Sequence, residues 1–436
     1  MSHKTMHKRL SGQALLSAAL LVFVGSAIVA STILYVSHER RMSKRSASWV
    51  DSLHVAEAGV EAAVNEYYKE VAGLVPWTGW VNVNVSGSIK MLPETELVSP
   101  AATPGKSRRY SVVVDLENYI VTATGTVSES WFSNDVKRVV RVELEPDRTS
   151  PFEAALLAKS YVKHGGNASV DSFDSSDPNK STDGLYDPAK RQMNGDIVTI
   201  CTDPEAAVFA TGSGVLYGDL IAGIGGGVKI SGSYTNLGAV GSGADTDISD
   251  VIVPMDTTLT HPAIKMNAAK DSQTILVAGD TDMSLSYIKA NGGALTISGS
   301  GRLRLYVEGE TSISGTATMN ITPSPPEADL KVEIYTNGDV LLNSCVNETG
   351  NAANLGIYGT ANCMSVKYTG DSHFTGFMYV PYAAYDFSGQ GDFIGAVVAG
   401  TIDVTGTGDF HYDEALAGIE LPFLLGYRYK SWRENP

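Results

Sequence analysis

Two hydrophobic patterns follow one another without a break at the start of this chain. Ala14–Val36 is an uncharged apolar run of 23 residues whose polar members are Ser17, Ser26, Ser31 and Thr32. As a helix it is long enough to cross a hydrocarbon core of about 30 Å, and its hydroxyls can bond back to the helix backbone. Small residues recur at four-residue spacing (Ala14/Ala18, Ser26/Ala30, Ala27/Ser31), which suits close helix–helix contact in lipid. Beyond the run, Met42, Trp49, Leu53, Ala56, Val60, Ala63, Tyr67 and Val71 fall on one helical face, with Glu39, Arg40, Lys44, Arg45, Asp51, Glu57, Glu61 and Glu66 supplying polar surface. Gly73 and Pro76 are the stop signals. The pattern predicts a polar leader over 1–12 and one helix over 13–72, about 90 Å long at 1.5 Å per residue, transmembrane in its first half and amphipathic in its second.

The period then changes. Tyr110–Leu116, Tyr119–Gly125 and Val136–Leu144 are runs rich in β-branched residues, with Glu117-Asn118 placed for a tight hairpin between the first two. Trp80–Val85 alternates and adds an edge strand, so 77–150 reads as a small antiparallel sheet seated on the helix face, with Pro146–Pro151 as the way out of it.

From Phe152 onward an apolar–Ser/Thr–Gly tripeptide keeps returning: Ile230-Ser231-Gly232, Ile297-Ser298-Gly299, Ile313-Ser314-Gly315, Tyr368-Thr369-Gly370, Phe387-Ser388-Gly389 and Val404-Thr405-Gly406. Several intervals are 16 to 19 residues. This predicts a right-handed parallel β-helix over 152–436, each coil laying a strand on the last and glycine turning the corner. A large β-sandwich is the alternative. The aromatic tail Leu421–Trp432, with Phe423, Tyr427 and Tyr429, is expected to cover the last coil, whose edge would otherwise be open. Val253–Ala269 reads as an excursion from the solenoid.

Composition sharpens this picture in two places. The 44 glycines in 436 residues exceed the usual share of about 7%, as many short strands and tight turns require. Residues 1–45 hold seven of the 32 Lys/Arg and one of the 48 acids, so the rest of the chain is strongly acidic. Such a head repels nucleic-acid phosphates, while the basic residues flank the apolar run where a chain meets lipid headgroups. The basic residues nearly balance across the run and leave orientation open. A cleaved signal peptide ending at Gly25–Ala30 is the competing reading of the run.

Candidate chemistry is sparse. Cys201, Cys345 and Cys363 have no metal-type spacing, and Cys345 with Cys363 is a possible disulfide. Asp409, His411, Asp413 and Glu414 put four titratable groups within six residues, but on a strand they alternate between faces. The bland reading is hydrogen bonding to a capping turn. Asp171, Asp174 and Asp177 are spaced for a Ca²⁺ loop or for Asx-turns, and they match neither the EF-hand nor the glycine-rich Ca²⁺ repeat. No cofactor is expected, and no catalytic residue is assigned.

The basic leader, Gly12, the span directly after it and the continuing helix with Val55-Ala56-Glu57-Ala58-Gly59-Val60-Glu61 resemble type IV pilin-like proteins, and among them PilX-type minor pilins. The Tyr110–Leu144 strands resemble their small sheet. Asp171–Ser175, His411–Leu416 and Ser431–Glu434 resemble a solenoid-type C-terminal domain attached to such proteins. The resemblance implies cleavage between Gly12 and Gln13 by a prepilin peptidase and a head outside the bacterial inner membrane. It also implies other pilin-like subunits and lipid as partners. Ser17 stands where a glutamate is usual in major pilins, which argues against mid-filament packing. A compact head of about 360 residues would be roughly 50 Å across, against helix spacings of about 8–10 Å. The expectation is a non-enzymatic tip or low-copy subunit of a pilus or secretion pseudopilus, its head available to a surface glycan or protein. A membrane-tethered carbohydrate-active β-helix and a plain anchored surface protein are the alternatives.

Overall fold

A computed structural model describes residues 4–71, 75–97, 105–130, 134–147, 150–205, 207–246, 248–258, 260–326, 328–348, 350–422 and 426–435, without the side chains of 4–17, 70, 71, 147 and 435. The expected class holds: one long N-terminal helix, an antiparallel sheet and a many-stranded parallel sheet. The chain divides into two units, residues 1–70, 74–145 and 427–436 in one and essentially 146–426 in the other.

In the first unit, helix α1 runs Lys4–Val71, so the leader from Lys4 continues the helix instead of preceding it. Gly12 and Gln13 lie on its backbone. Their side chains, and those of Ser17 and Val71, fall outside the description, as do Gly73 and Phe423. From Ala18 to Val36 every side chain is exposed. From Ser48 the helix buries a stripe: Ser48, Ser52, Val55, Ala56, Val60, Ala63, Val64 and Tyr67 are all at or below 9% exposure. The sequence-predicted face is therefore buried at Ala56, Val60, Ala63 and Tyr67 and half-buried at Leu53, but Met42 and Trp49 are exposed. The reason is close approach. A Cβ on Gly125 would lie 2.1 Å from the Ser52 carbonyl oxygen and 2.5 Å from the Ala56 nitrogen, so the contact needs small residues at 48, 52 and 56. Large apolar side chains are excluded from it. Trp49 flanks the contact under the Arg138 guanidinium, 4.7 Å from its ring centroid.

Strands Ile89–Glu96, Lys106–Asp115, Ile120–Glu129 and Val136–Asp147 form the sheet against this stripe, with Val81–Asn82 at one edge. The hairpin turn falls at Glu117-Asn118, where Asp115 Oδ1 accepts both backbone N–H groups. Lys106 bridges Asp51 on the helix (2.6 Å) and Glu129 on the sheet (2.9 Å), and Ser48 Oγ donates to Glu129 (2.6 Å). The other edge strand is Gly426–Asn435, beside Val136–Asp147. It is held by the Arg138–Glu434 pair and by Tyr427 packed on Tyr67 at 4.6 Å. The strand part of the aromatic tail thus completes the antiparallel sheet, while Leu421 is buried in the solenoid core.

The second unit is a parallel solenoid whose coils are not stacked in sequence order. The entry coil, Leu156–His164 and Ser169–Phe173, pairs on one side with Ile197–Thr199, Val208–Ala210 and Val215–Leu216. On its other side it pairs with the last coil in sequence, Phe393–Val404 and Phe410–Asp413. One buried ladder shows the continuity: Leu305, Ile334, Ile357, Met378, Val397, Leu156, Ile197 and Leu220 are successive register partners. The chain enters in mid-stack, winds outward to Val240–Ala244, and begins again at the opposite end with Ile264–Met266. It then winds back until the closing coil meets the entry coil. Tyr412 Oη donates to Phe152 O (2.6 Å) and Ser150 Oγ to Leu416 O (2.8 Å), which ties the two ends together.

Getting from one end of the stack to the other is the task of the excursion before Ile264. Ser249 O accepts from Tyr379 Oη (2.7 Å), Pro254 O from Arg304 (3.1 Å) and Asp256 O from Ser284 Oγ (2.8 Å). The segment thus straps coils that are up to four apart in the stack, with Ile248 buried against the solenoid core.

The recurrent tripeptide is the corner. Gly370, Gly389, Gly406, Gly166, Gly212 and Gly232 stack one on the next; a Cβ on Gly166, at φ +71°, would sit 2.2 Å from the Gly406 oxygen.

Candidate functional site

A second corner of the solenoid is built from Gly-Asp dipeptides. The carboxylate of each aspartate can accept the backbone N–H of the coil above, a bond that offsets the loss of hydration at a turn. Asp392 Oδ1 accepts from Asp409 N (3.2 Å), Asp409 Oδ1 from Ser169 N (2.7 Å), Asp196 Oδ1 from Asp219 N (2.7 Å) and Asp219 Oδ1 from Ala239 N (2.6 Å). Burial raises the Asp196 pKa despite its backbone bond.

Beside this ladder, parallel pairing puts His411 in register with Asp171. Their neighbours Phe410 and Val170 point into the core, so these two side chains turn to the outer face. They are nonetheless buried, at 6% and 1% exposure, because the excursion 174–195 folds back over them. Its Tyr186 ring stacks on His411 with centroids 3.6 Å apart, and Tyr186 Oη donates to Asp171 Oδ2 (2.7 Å). Asp171 Oδ1 lies 2.7 Å from His411 Nδ1, and Arg191 approaches the same carboxylate at 3.7 Å while covering the Tyr217 ring. With Tyr186 and Arg191 on one oxygen, Asp171 is held as an acceptor. The Asp171 contact orients the imidazole through Nδ1 and leaves Nε2 as the other ring nitrogen.

The excursion is itself pinned through Glu414, which accepts from Ser172 Oγ (2.8 Å), Lys180 (2.9 Å) and Asn194 (2.9 Å). Asp413 Oδ1 accepts from Ser175 N (3.0 Å) and Ala415 N (3.2 Å), and burial raises its pKa. A cavity of about 220 Å³ opens beside the ring stack, lined by Tyr186, Glu348, His373, Asp392, Ile394 and His411.

The structure thus joins the two acidic clusters of the sequence at one place. It does not make them the sites they resembled. Asp174 and Asp177 form Asx-turns with Ser176 and Asn179, and Asp171 faces His411, so the three carboxylates do not converge as a Ca²⁺ loop. Asp409 and His411 share a corner, whereas Asp413 and Glu414 are spent on backbone capping and on the excursion. This cluster lies in mid-stack, where the closing coil meets the entry coil. Asp392, His373, Tyr186 and Arg191 were not foreseen. The signal for Asp392 was present: Gly391-Asp392-Phe393 repeats as Gly408-Asp409-Phe410.

Cys345 and Cys363 are free thiols, as is Cys201. Cys363 is buried, and desolvation and the charge of Asp339 push its pKa up to about 12. The expected bridge is not formed.

A larger cavity, about 420 Å³, lies on another face between Arg302, Lys331, Glu333, Tyr358 and Phe377. Burial raises the Glu333 pKa against the pull of the Tyr335 hydroxyl (2.9 Å) and of nearby cations.

Residues 327–419 match a family model described as a domain of unknown function, DUF7305. No curated protein matches the sequence. Among solved structures, the competence-associated pilin ComZ from Thermus thermophilus is similar at 11% identity over 89% of this chain and 97% of that chain, with a TM-score of 0.22. A likeness of that degree fixes neither fold nor role.

Proposed function

We propose that this chain is a membrane-anchored, pilin-like, non-enzymatic subunit of a type IV pilus or type II secretion pseudopilus, in a tip or low-copy position, displaying its acidic solenoid. The carrying observation is the division of α1. Its most apolar stretch has mean hydropathy 2.3 and none of it is buried, while the turns from Ser48 to Tyr67 are committed to the protein's own sheet. Exposed apolar surface on that scale calls for a cover, and lipid and neighbouring helices supply it. In this reading Ala56, Val60, Ala63 and Tyr67 hold the sheet, and Met42, exposed on the same helix, remains for contact with other subunits. The inner membrane, with a cytoplasmic N-terminus, is the proposed location.

Cysteine cross-linking tests the reading. Cysteines placed at Met42 and in the apolar stretch should trap other pilin-like subunits in intact cells. Labelled chain that cross-links to nothing but itself would favour a plain anchor.

A second reading, a glycan-directed head, is favoured by the cavity at Glu333, where two acids (Glu333 and Glu420), two cations and two aromatic rings converge. Glu333→Gln should then abolish binding to a glycan array, and unchanged binding would remove this cavity from consideration.

A further inference from the structure

We propose that Asp392, Asp409 and His411 bind a borderline divalent metal ion of the Zn²⁺ type across the two closing turns of the solenoid, beside the entry coil. One ligand atom from each of the three lies within 4.8 Å of the other two. In a tetrahedral site with bonds of about 2.0–2.2 Å the ligands stand about 3.4 Å apart, so the three side chains would close together around the ion.

Three observations separate this cluster from an ordinary acidic corner. His411 is 6% exposed, and one ring nitrogen is fixed on Asp171 at 2.7 Å while the other has no hydrogen bond among the described residues. An imidazole whose far N–H is held by a buried carboxylate is oriented, and made more basic, for metal ligation. Asp392 and Asp409 each use Oδ1 to cap a backbone N–H, and Oδ2 of each carries no hydrogen bond among the described residues. The cavity beside His411 and Asp392 gives solvent and an ion a path in. One imidazole and two carboxylates favour a Zn²⁺-type ion over Ca²⁺, which prefers an all-oxygen shell of six to eight ligands. A fourth position would be left to water.

The seam is where such an ion would matter. Asp392 precedes the strand Phe393–Val404, Asp409 and His411 belong to the next turn, and Asp171 behind the imidazole belongs to the entry coil. An ion here clamps two successive turns of the closing coil to each other, and reaches the entry coil only through Asp171. Asp171 is a positioning residue in this arrangement, since it acts through His411.

The test uses the full chain in detergent, free of any affinity tag and stripped with a chelator. Calorimetric titration with ZnCl₂ and with CaCl₂ is paired with melting curves. The expected result is one saturable Zn²⁺ site per chain, a rise in melting temperature with Zn²⁺, and no comparable response to Ca²⁺. His411→Gln and Asp392→Asn should each abolish the site. The Asn variant keeps an oxygen for the Asp409 N–H, so its metal-free melting curve should match the parent's. Asp171→Asn should weaken Zn²⁺ affinity about 10–100-fold while leaving one site per chain. Failure of the parent to take up Zn²⁺ would overturn the proposal. So would equal Zn²⁺ uptake by the folded Asp392→Asn chain, or Ca²⁺ binding as tight as Zn²⁺. None of these outcomes bears on whether α1 assembles with other subunits.

Discussion

Leu156 lies in register with Val397, both fully buried, so the first and last turns of the solenoid meet in its middle. A linear stack has two weak ends where chain termini fray. Here the described ends are internal segments, Val240–Ala244 and Ile264–Ala278, and the seam is closed by core packing. Leu156→Ala should cost about 2–5 kcal/mol, whereas Val240→Ala, at 51% exposure on an end strand, should stay within about 0.5 kcal/mol. Chemical denaturation of the two variants checks this.

Corner glycines carry a comparable weight. Gly166 combines positive φ with a neighbour's oxygen 2.2 Å from any Cβ, and Gly241 has nothing within 4 Å. Gly166→Ala should therefore destabilise by about 2–4 kcal/mol and Gly241→Ala hardly at all, as read from melting temperatures.

The helix–sheet contact depends on small residues. Gly125→Ala pushes a methyl group into the Ser52 carbonyl, and Ala56→Leu overfills the same contact, so each should cost about 1–3 kcal/mol. Met42→Ala, at an exposed position, should not change stability. Hydrogen exchange along residues 48–67 distinguishes them: faster in the first two variants, unchanged in the third.

His164 makes stability acid-sensitive. Its ring is wholly buried with neither nitrogen partnered, and desolvation lowers its pKa from 6.5 to about 4 against a smaller opposing pull from Asp409. Below pH 6.5 the unfolded chain takes up a proton that the folded chain refuses. Stability from this group is thus complete above pH 6.5 and is lost as pH falls toward 4, by about 3 kcal/mol in all. Burial raises Asp196, Asp413 and Glu333, which works in the opposite sense, so the comparison must be with a variant. His164→Leu should flatten the melting-temperature profile between pH 4 and 6.5 relative to the parent.

The helix and the class of the solenoid were legible because both rest on local periodicity. A long apolar run and a glycine-marked corner are written within a few residues of each other. Coil order was not legible, since Val397 and Leu156 are brought together by a strap whose own sequence carries no period. The tail misled for a related reason: Tyr427 and Trp432 announce burial but not the surface, and it was Tyr67 and Arg138 that received this strand. At the candidate site the separate halves, Asp171 and His411, were visible as acidic clusters. Their register pairing depends on the same permuted stack.

The pilin-like reading is tested most directly by the mature N-terminus. Intact-mass and terminal-peptide mass spectrometry of the chain purified from its native membrane should find a start at Gln13, with an N-methyl group. A start between residues 28 and 31, or an unprocessed chain, would contradict it.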